Sequence, residues 1–155
     1  MHPSRHAFTW SIRVYYEDTD IGGVVYYANY LKFFERARTE WLRALGFNQF
    51  EFATAEDRAF VVRRAEIDYK LPARMDDLLT VTVTPLEVGR ASVWLAQTLI
   101  RESADASSAK AAELIALAKI QVACIRRSDG FPVKLPPTLY TQFNTQMSTS
   151  LQAAT

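Results

Sequence analysis

Histidine is nearly missing from this 155-residue sequence, and the two that occur, His2 and His6, fall within the first six residues. That shortage weighs against catalysis by a histidine base. It also weighs against a metal centre, because the single cysteine, Cys124, has no partner at ligand spacing, so no metal is expected. One cysteine excludes an internal disulfide framework and fits a reducing compartment. No apolar run approaches the ~18 residues needed to span a bilayer. Met1–His6 is not followed by a signal-peptide core, so the expected location is cytoplasmic, without membrane insertion. The formal net charge is only +1. A broad nucleic-acid-binding surface is therefore not indicated, although local basic pairs can still grip a phosphate-bearing ligand.

What is present is ordinary for a globular chain. Hydrophobic residues make up 49% and charged residues 23% of the sequence, enough for one domain that buries roughly two-thirds of its unfolded surface. The expected organisation is a flexible tail over 1–9, a single domain over 10–143 and a disordered tail over 144–155. A strand is predicted from about Trp10 to Tyr16, then a helix from about Tyr27 to Leu45 closed by Gly46. Its apolar stripe is read as Tyr27, Tyr30, Leu31, Phe34, Ala37, Trp41, Leu42 and Leu45.

A short link that can be helical (Asn48 to Glu56) leads to strand-like segments at Ala59 to Tyr69, Leu78 to Leu86 and Ala91 to Arg101. Ser103 to Lys110 suits an exposed hairpin loop. Ala112 to Ile125 has helix-forming composition but alternates cleanly, and is assigned as a strand. Ser128-Asp129-Gly130 makes a turn, and Pro136 to Phe143 starts a short terminal helix. One strand, one long helix and four further strands predict an α+β fold, an antiparallel sheet curling round a single helix.

Chemistry concentrates in residues 13–30, where an acidic run, Gly22-Gly23 and a helix start follow one another. Glu17, Asp18 and Asp20 are the candidate acids. Asp20 is best placed, because the glycines let the chain fold back and bring backbone amides close to a ligand. The first N–H groups of the helix would then stabilise an oxyanion beside the carboxylate. The competing structural role is that Asp18 and Asp20 simply cap the turn. Glu35 is read chiefly as an ion-pair partner of its arginine neighbours, and Cys124 as a buried small hydrophobe.

Arg13, Val14, Thr19, Asp20 and Gly23 fall at the spacing of a known motif, which resembles the active-site signature of the 4-hydroxybenzoyl-CoA thioesterase group of hot-dog-fold proteins. Tyr16 to Asp20, Asn29-Tyr30, Phe34 to Arg38 and Arg74-Met75-Asp76-Asp77 resemble, within it, the acyl-CoA thioesterases associated with the bacterial Tol–Pal system. The resemblance covers roughly residues 10 to 143. It implies a five-stranded sheet around one helix, acyl-CoA as substrate, no cofactor beyond the coenzyme A of the substrate, and a homo-oligomer, a dimer often doubled to a homotetramer.

Carried over, the catalytic carboxylate falls on Asp20, and the amide that polarises the thioester carbonyl falls on Tyr27, where many relatives carry histidine. Gly23, Val24 and Tyr26 would line the substrate. Coenzyme A brings phosphates, so basic residues at strand ends and turns are expected to bind it, with Arg90, Arg126 and Arg127 preferred over Arg64 and Lys134. Two other readings compete. A hot-dog dehydratase is disfavoured by the lack of histidine, and a non-catalytic acyl-thioester-binding or scaffold protein linked to Tol–Pal is the alternative from another class.

Overall fold

The computed structural model describes residues 7–103 and 111–153. Strands β1 (Phe8–Arg13), β2 (Arg58–Tyr69), β3 (Leu78–Val88), β4 (Ser92–Arg101) and β5 (Glu113–Arg126) form one sheet. Every neighbouring pair is antiparallel and the order is β1-β3-β4-β5-β2. Helices α1 (Asn29–Ala44), α2 (Gln49–Ala55) and α3 (Pro137–Ala153) complete the chain. This is the expected α+β arrangement, with the strands in the expected succession.

The strands follow the pleat. On β3 the side chains of Leu79, Val81 and Val83 are buried, and on β4 those of Val93, Leu95 and Leu99, so one face of the sheet carries the core. Glu113–Arg126 is a strand despite its alanines because it sits between β4 and β2 and bonds to both. Tertiary pairing there outweighs helix propensity.

Helix α1 lays Tyr30, Phe33, Phe34, Ala37, Trp41 and Leu42 into that core. Phe33, absent from the predicted stripe, is fully buried, whereas Leu31 and Tyr27 are exposed. The helix starts two residues later than predicted. It ends at a left-handed Gly46 (φ +82°), with Gly46 N–H on the Arg43 carbonyl and Phe47 N–H on the Leu42 carbonyl. The link that follows is helical, capped by Asn48, whose Oδ1 accepts from the Phe50 and Glu51 amides.

Three boundaries depart from expectation. Strand β1 begins at Phe8, inside the predicted tail, and ends at Arg13, so Tyr15 and Tyr16 leave the strand for a 3-10 turn at Tyr16–Asp18. Helix α3 does not stop near Phe143 but continues to Ala153, through most of the segment expected to be disordered. Its anchor is aromatic: Phe143 stacks on Trp41 at 4.8 Å between ring centroids, and the Trp41 indole N–H donates to Gln146 at 2.9 Å. Most of the loop predicted at Ser103 to Lys110, and His2 and His6, lie outside the described residues.

The two ends of the sheet carry different chemistry. Arg13, Leu78, Arg101, Glu113 and Tyr69 mark one end; Val88, Ser92, Arg126 and Arg58 mark the other. Among the described residues both flanking strands, β1 and β2, have an unpaired edge. On the twelve-residue β2 that edge is long and apolar in part, with Val61 and Val62 exposed. If α3 belongs to the core, Phe143→Ala will lower unfolding free energy by about 3–5 kcal/mol, read by denaturant titration. A loss below about 1 kcal/mol would mean that α3 is peripheral.

Candidate active site

The three candidate acids have different fates. Asp18 is buried, and its Oδ2 accepts the Tyr15 amide at 2.8 Å. Its carbonyl accepts the Tyr26 amide (3.0 Å) and the Asn29 side-chain amide (2.9 Å), which draws the start of α1 back onto the 3-10 turn. Asp18 is therefore a structural staple. Glu17 is exposed. Asp20 heads the exposed turn. Its Oδ1 accepts the Gly22 amide at 2.8 Å, its carbonyl accepts the Gly23 amide at 3.0 Å, and its own amide donates to Val24. Oδ2 of Asp20 has no hydrogen-bond partner among the described residues. The carboxylate is thus oriented through one oxygen and open at the other.

The turn is clasped from one side by residues 72–77. Val24 bridges to Arg74, and the Val25 amide donates to the Ala73 carbonyl at 2.8 Å. The Ala73 amide in turn donates to the buried Tyr30 hydroxyl at 3.1 Å. Asp77 Oδ2 accepts both the Arg74 amide (2.8 Å) and Arg101 Nε (2.9 Å). Arg101 also reaches Glu113 at 3.1 Å and the Pro72 carbonyl. Both Arg101 and Asp77 side chains are only about one-fifth exposed (19% and 20%), so solvent screens this pair less than a surface pair. The Arg74 to Asp77 motif read from the sequence thus acts as the support of the Asp20 turn.

Beyond the turn the chain enters α1 through a tight bend closed by the Asn29 amide on the Tyr26 carbonyl (2.8 Å). Ala28, the N-cap residue, has no side-chain cap, and the amides of Tyr27 and Ala28 donate to no group among the described residues. The Ala28 amide is an orphan donor of the helix N-terminus, and the Tyr27 amide lies one residue before the cap, beside the end where partial positive charge gathers. The Tyr27 ring is exposed and lies edge-on to Tyr26 (5.0 Å) and Tyr69 (6.3 Å). The Tyr69 hydroxyl donates to the Tyr27 carbonyl at 3.0 Å.

Asp20, Gly23, Val24, Tyr26 and Tyr27 therefore share one end of the sheet. Arg90, Arg126 and Arg127 do not join them within one chain. Arg90 follows β3, and Arg126 ends β5 opposite Arg58, at the far end from Arg13 and Tyr69. The fourteen residues of β5 separate the two ends by about 45 Å at strand rise. Arg126 is paired with Asp129 at 2.6 Å. The Phe131 amide and that guanidinium hold the Asp129 carboxyl below its usual range. Arg127 donates to the Ala53 carbonyl at 2.8 Å. Sequence proximity to strand ends could not tell which end.

A cleft of about 150 Å³ opens between α1 and β2, lined by Arg38, Trp41, Val61 and Val62 among others. It lies toward the Arg126 end, because Val62 pairs with Val122. Glu35 borders it, accepts from Thr39 Oγ1 at 2.8 Å and acts through its charge on the Arg38 guanidinium, with no ion pair within 4.0 Å among the described residues. Cys124 is buried, and desolvation pushes its thiol up to about 11, as suits a packing residue. Among the described residues no group of His, Cys, Asp and Glu is arranged to hold a metal ion, and no helix is long and apolar enough to cross a membrane. Tyr69 and Arg101, both central to the geometry, had no sequence signal beyond ending a strand.

The two glycines of the turn separate geometry from stability. A Cβ at Gly22 would come within 3.1 Å of Asp20 Oδ1, whereas one at Gly23 meets nothing but must adopt φ +77°. If Asp20 is the reacting carboxylate, Gly22→Ala is expected to lower turnover about tenfold by displacing it, with little change in Tm. Gly23→Ala is expected to cost ~1–2 kcal/mol of stability. Assays and melting curves on the pair check this; an unaffected Gly22→Ala would contradict it.

Comparison with known proteins follows the same lines. Residues 22–106 match the sequence model of the Thioesterase superfamily. The chain is 41% identical to an acyl-CoA thioesterase, YbgC, of Haemophilus influenzae, over 90% of this chain and 96% of that protein. Among solved structures, a probable thioesterase from Bartonella henselae superposes with a TM-score of 0.69 at 36% identity, covering 84% of this chain and 98% of the other. A 1,4-dihydroxy-2-naphthoyl-CoA thioesterase from Synechocystis superposes with a TM-score of 0.78 at 26% identity, covering 89% and 96%. Fold, motif and relatives agree: the chain belongs to the thioesterase superfamily.

Proposed function

We propose that this protein hydrolyses acyl-CoA thioesters to the free acid and coenzyme A, with Asp20 as the reacting carboxylate and the Tyr27 amide as the donor to the thioester oxygen. The observation that carries this reading is a carboxylate with one oxygen held and one open, on a turn that leads directly into a helix start with free amides. A thioester carbonyl held against that start is polarised toward an oxyanion. Open Oδ2 of Asp20 either attacks the carbonyl carbon, giving an anhydride that water then cleaves, or takes a proton from an attacking water. Coenzyme A leaves as its thiolate in both routes and takes up a proton released by the water consumed. Tyr27 supplies its backbone N–H as a histidine would, so carbonyl polarisation does not depend on the side chain found there.

A dimer is the natural unit of this activity. The exposed edge of β2 is a template for pairing, and unsatisfied strand edges are rarely left open. Antiparallel pairing of two β2 strands about their midpoint would set the Arg58 end of one copy beside the Tyr69 end of the other. The basic end, with Arg90, Arg126 and Arg127, and the cleft beside α1 would then face the Asp20 turn of the second copy. Coenzyme A phosphates and the acyl chain would be received by one chain and the reacting carbonyl by its partner. A further pairing of dimers would give the tetramer implied by the resemblance.

Asp20→Asn keeps the bond to the Gly22 amide but removes the charge. It should lower thiol release from a panel of acyl-CoAs about 10²–10⁴-fold, followed with a thiol reagent. Equal release by both proteins would sink the enzymatic reading. Binding of acyl-CoA without release above the Asp20→Asn control would favour the non-catalytic role linked to Tol–Pal. Lysine at both Val61 and Val62 should halve the solution mass and remove activity with it, read by light scattering. Full activity in a monomer would contradict the shared site.

A further inference from the structure

We infer that Tyr69 is a positioning residue which, through the Tyr27 carbonyl, aligns the Ala28 amide as a second donor to the oxyanion, beside the Tyr27 amide. The inference rests on the proposed hydrolysis and adds to it a donor and the side chain that orients it.

In a trans peptide the N–H points opposite to the C=O of the same unit. The unit that carries the Tyr27 amide has the Tyr26 carbonyl as its other pole, and that carbonyl is held by the Asn29 amide at 2.8 Å. The unit that carries the Ala28 amide has the Tyr27 carbonyl as its other pole, held by the Tyr69 hydroxyl at 3.0 Å. Both units are therefore tethered at the carbonyl and free at the nitrogen. The first tether belongs to the chain's own turn. The second comes from β2, 42 residues away in sequence.

The chemistry of the contact has one sense only, since a carbonyl accepts and the hydroxyl must donate. Desolvation first, and then the neighbouring Tyr30 and Tyr27, push the Tyr69 hydroxyl above its ordinary value, so it keeps its proton across the neutral range. A donated hydrogen bond also draws electron density from the peptide unit, which sharpens the Ala28 N–H as a donor. The Tyr69 ring, nearly half exposed, packs edge-on against the buried Tyr30 (5.1 Å) and against Tyr27 (6.3 Å), contacts that aim its hydroxyl. Tyr30 is in turn tied through its own hydroxyl to Ala73, in the clasp that holds the Asp20 turn. One aromatic cluster thus links the reacting carboxylate and both amides, and preorganisation of this kind is worth most where charge develops.

Tyr69→Phe tests this, since the ring contacts remain and only the hydroxyl is lost. Steady-state kinetics on the acyl-CoA that the unaltered protein cleaves fastest should show kcat about tenfold lower with KM within about twofold, because the bond matters only as the oxyanion forms. Unchanged kcat, or a raised KM with kcat retained, would overturn the inference; the second result would make Tyr69 a substrate contact. A melting temperature that falls in step with activity would overturn it too, by making Tyr69 merely structural. Amide NMR supplies an arm that needs no turnover. The Ala28 amide resonance should move in Tyr69→Phe more than the resonances of α1 beyond its first turn, and an unmoved signal would overturn the inference. Should the unaltered protein release no thiol at all, the hydrolytic reading fails by itself, while the amide measurement still decides whether Tyr69 orients Ala28.

Discussion

The shape of the Asp20 turn depends on the clasp between Val24-Val25 and Ala73-Arg74. A turn that carries an exposed carboxylate between two glycines has little reason to hold one shape. Here it is given one by a hydrogen bond from Val25 to Ala73, a bridge from Val24 to Arg74, and the Arg101–Asp77 pair that holds the 72–77 loop to the sheet. Arg101 and Asp77 are largely shielded, and Arg101 spends its donors on Asp77, Glu113 and the Pro72 carbonyl, so the support is anchored on three segments at once. A guanidinium suits that task because its planar fork can serve several acceptors without losing its charge.

The clasp divides labour among acids that look alike in sequence. Asp18 is turned inward and spends its carboxylate on the Tyr15 amide, while its carbonyl takes the Tyr26 amide and the Asn29 side chain and so ties the start of α1 to the turn. Asp20 is turned outward and keeps one oxygen open. The same helix start that Asp18 draws into place then offers its unpaired amides beside the turn. Fold and site are thus built by one set of bonds, and the sheet end that carries them is the end at which β1, β3 and the loop after β2 meet.

Much of this was legible in the sequence where the signal is local. The α1 stripe, the Gly46 cap and the strand alternation each depend on neighbours three or four residues away at most, and the acid–glycine–helix order needs only a dozen residues. The misread boundaries have longer-range causes. Residues 144–153 are rich in Thr, Ser, Gln and Asn and look like a tail, yet the helix continues there once Phe143 has docked on Trp41. Phe33 escaped the stripe because it falls one position from Phe34, and only the breadth of the core decides that both are covered. Arg90, Arg126 and Arg127 are expected near the site because they lie at strand ends or turns, and only the topology reveals that their end is opposite the Asp20 turn. Tyr69 reads as a core aromatic in any strand; its hydroxyl gains meaning from a partner 42 residues away.

The opposition of the two ends is itself informative. An Asp20 turn and basic residues that lie a sheet's length apart, with a long β2 edge unpaired among the described residues, are the ground for the proposed pairing of two copies. The crystal structure of the Asp20→Asn protein with an intact acyl-CoA tests this account most directly. It should place the thioester oxygen within about 3 Å of the Tyr27 amide, with the nucleotide against the basic end of a second copy. A thioester carbonyl remote from that helix start, or a coenzyme A held entirely by the chain that carries the carboxamide, would contradict it.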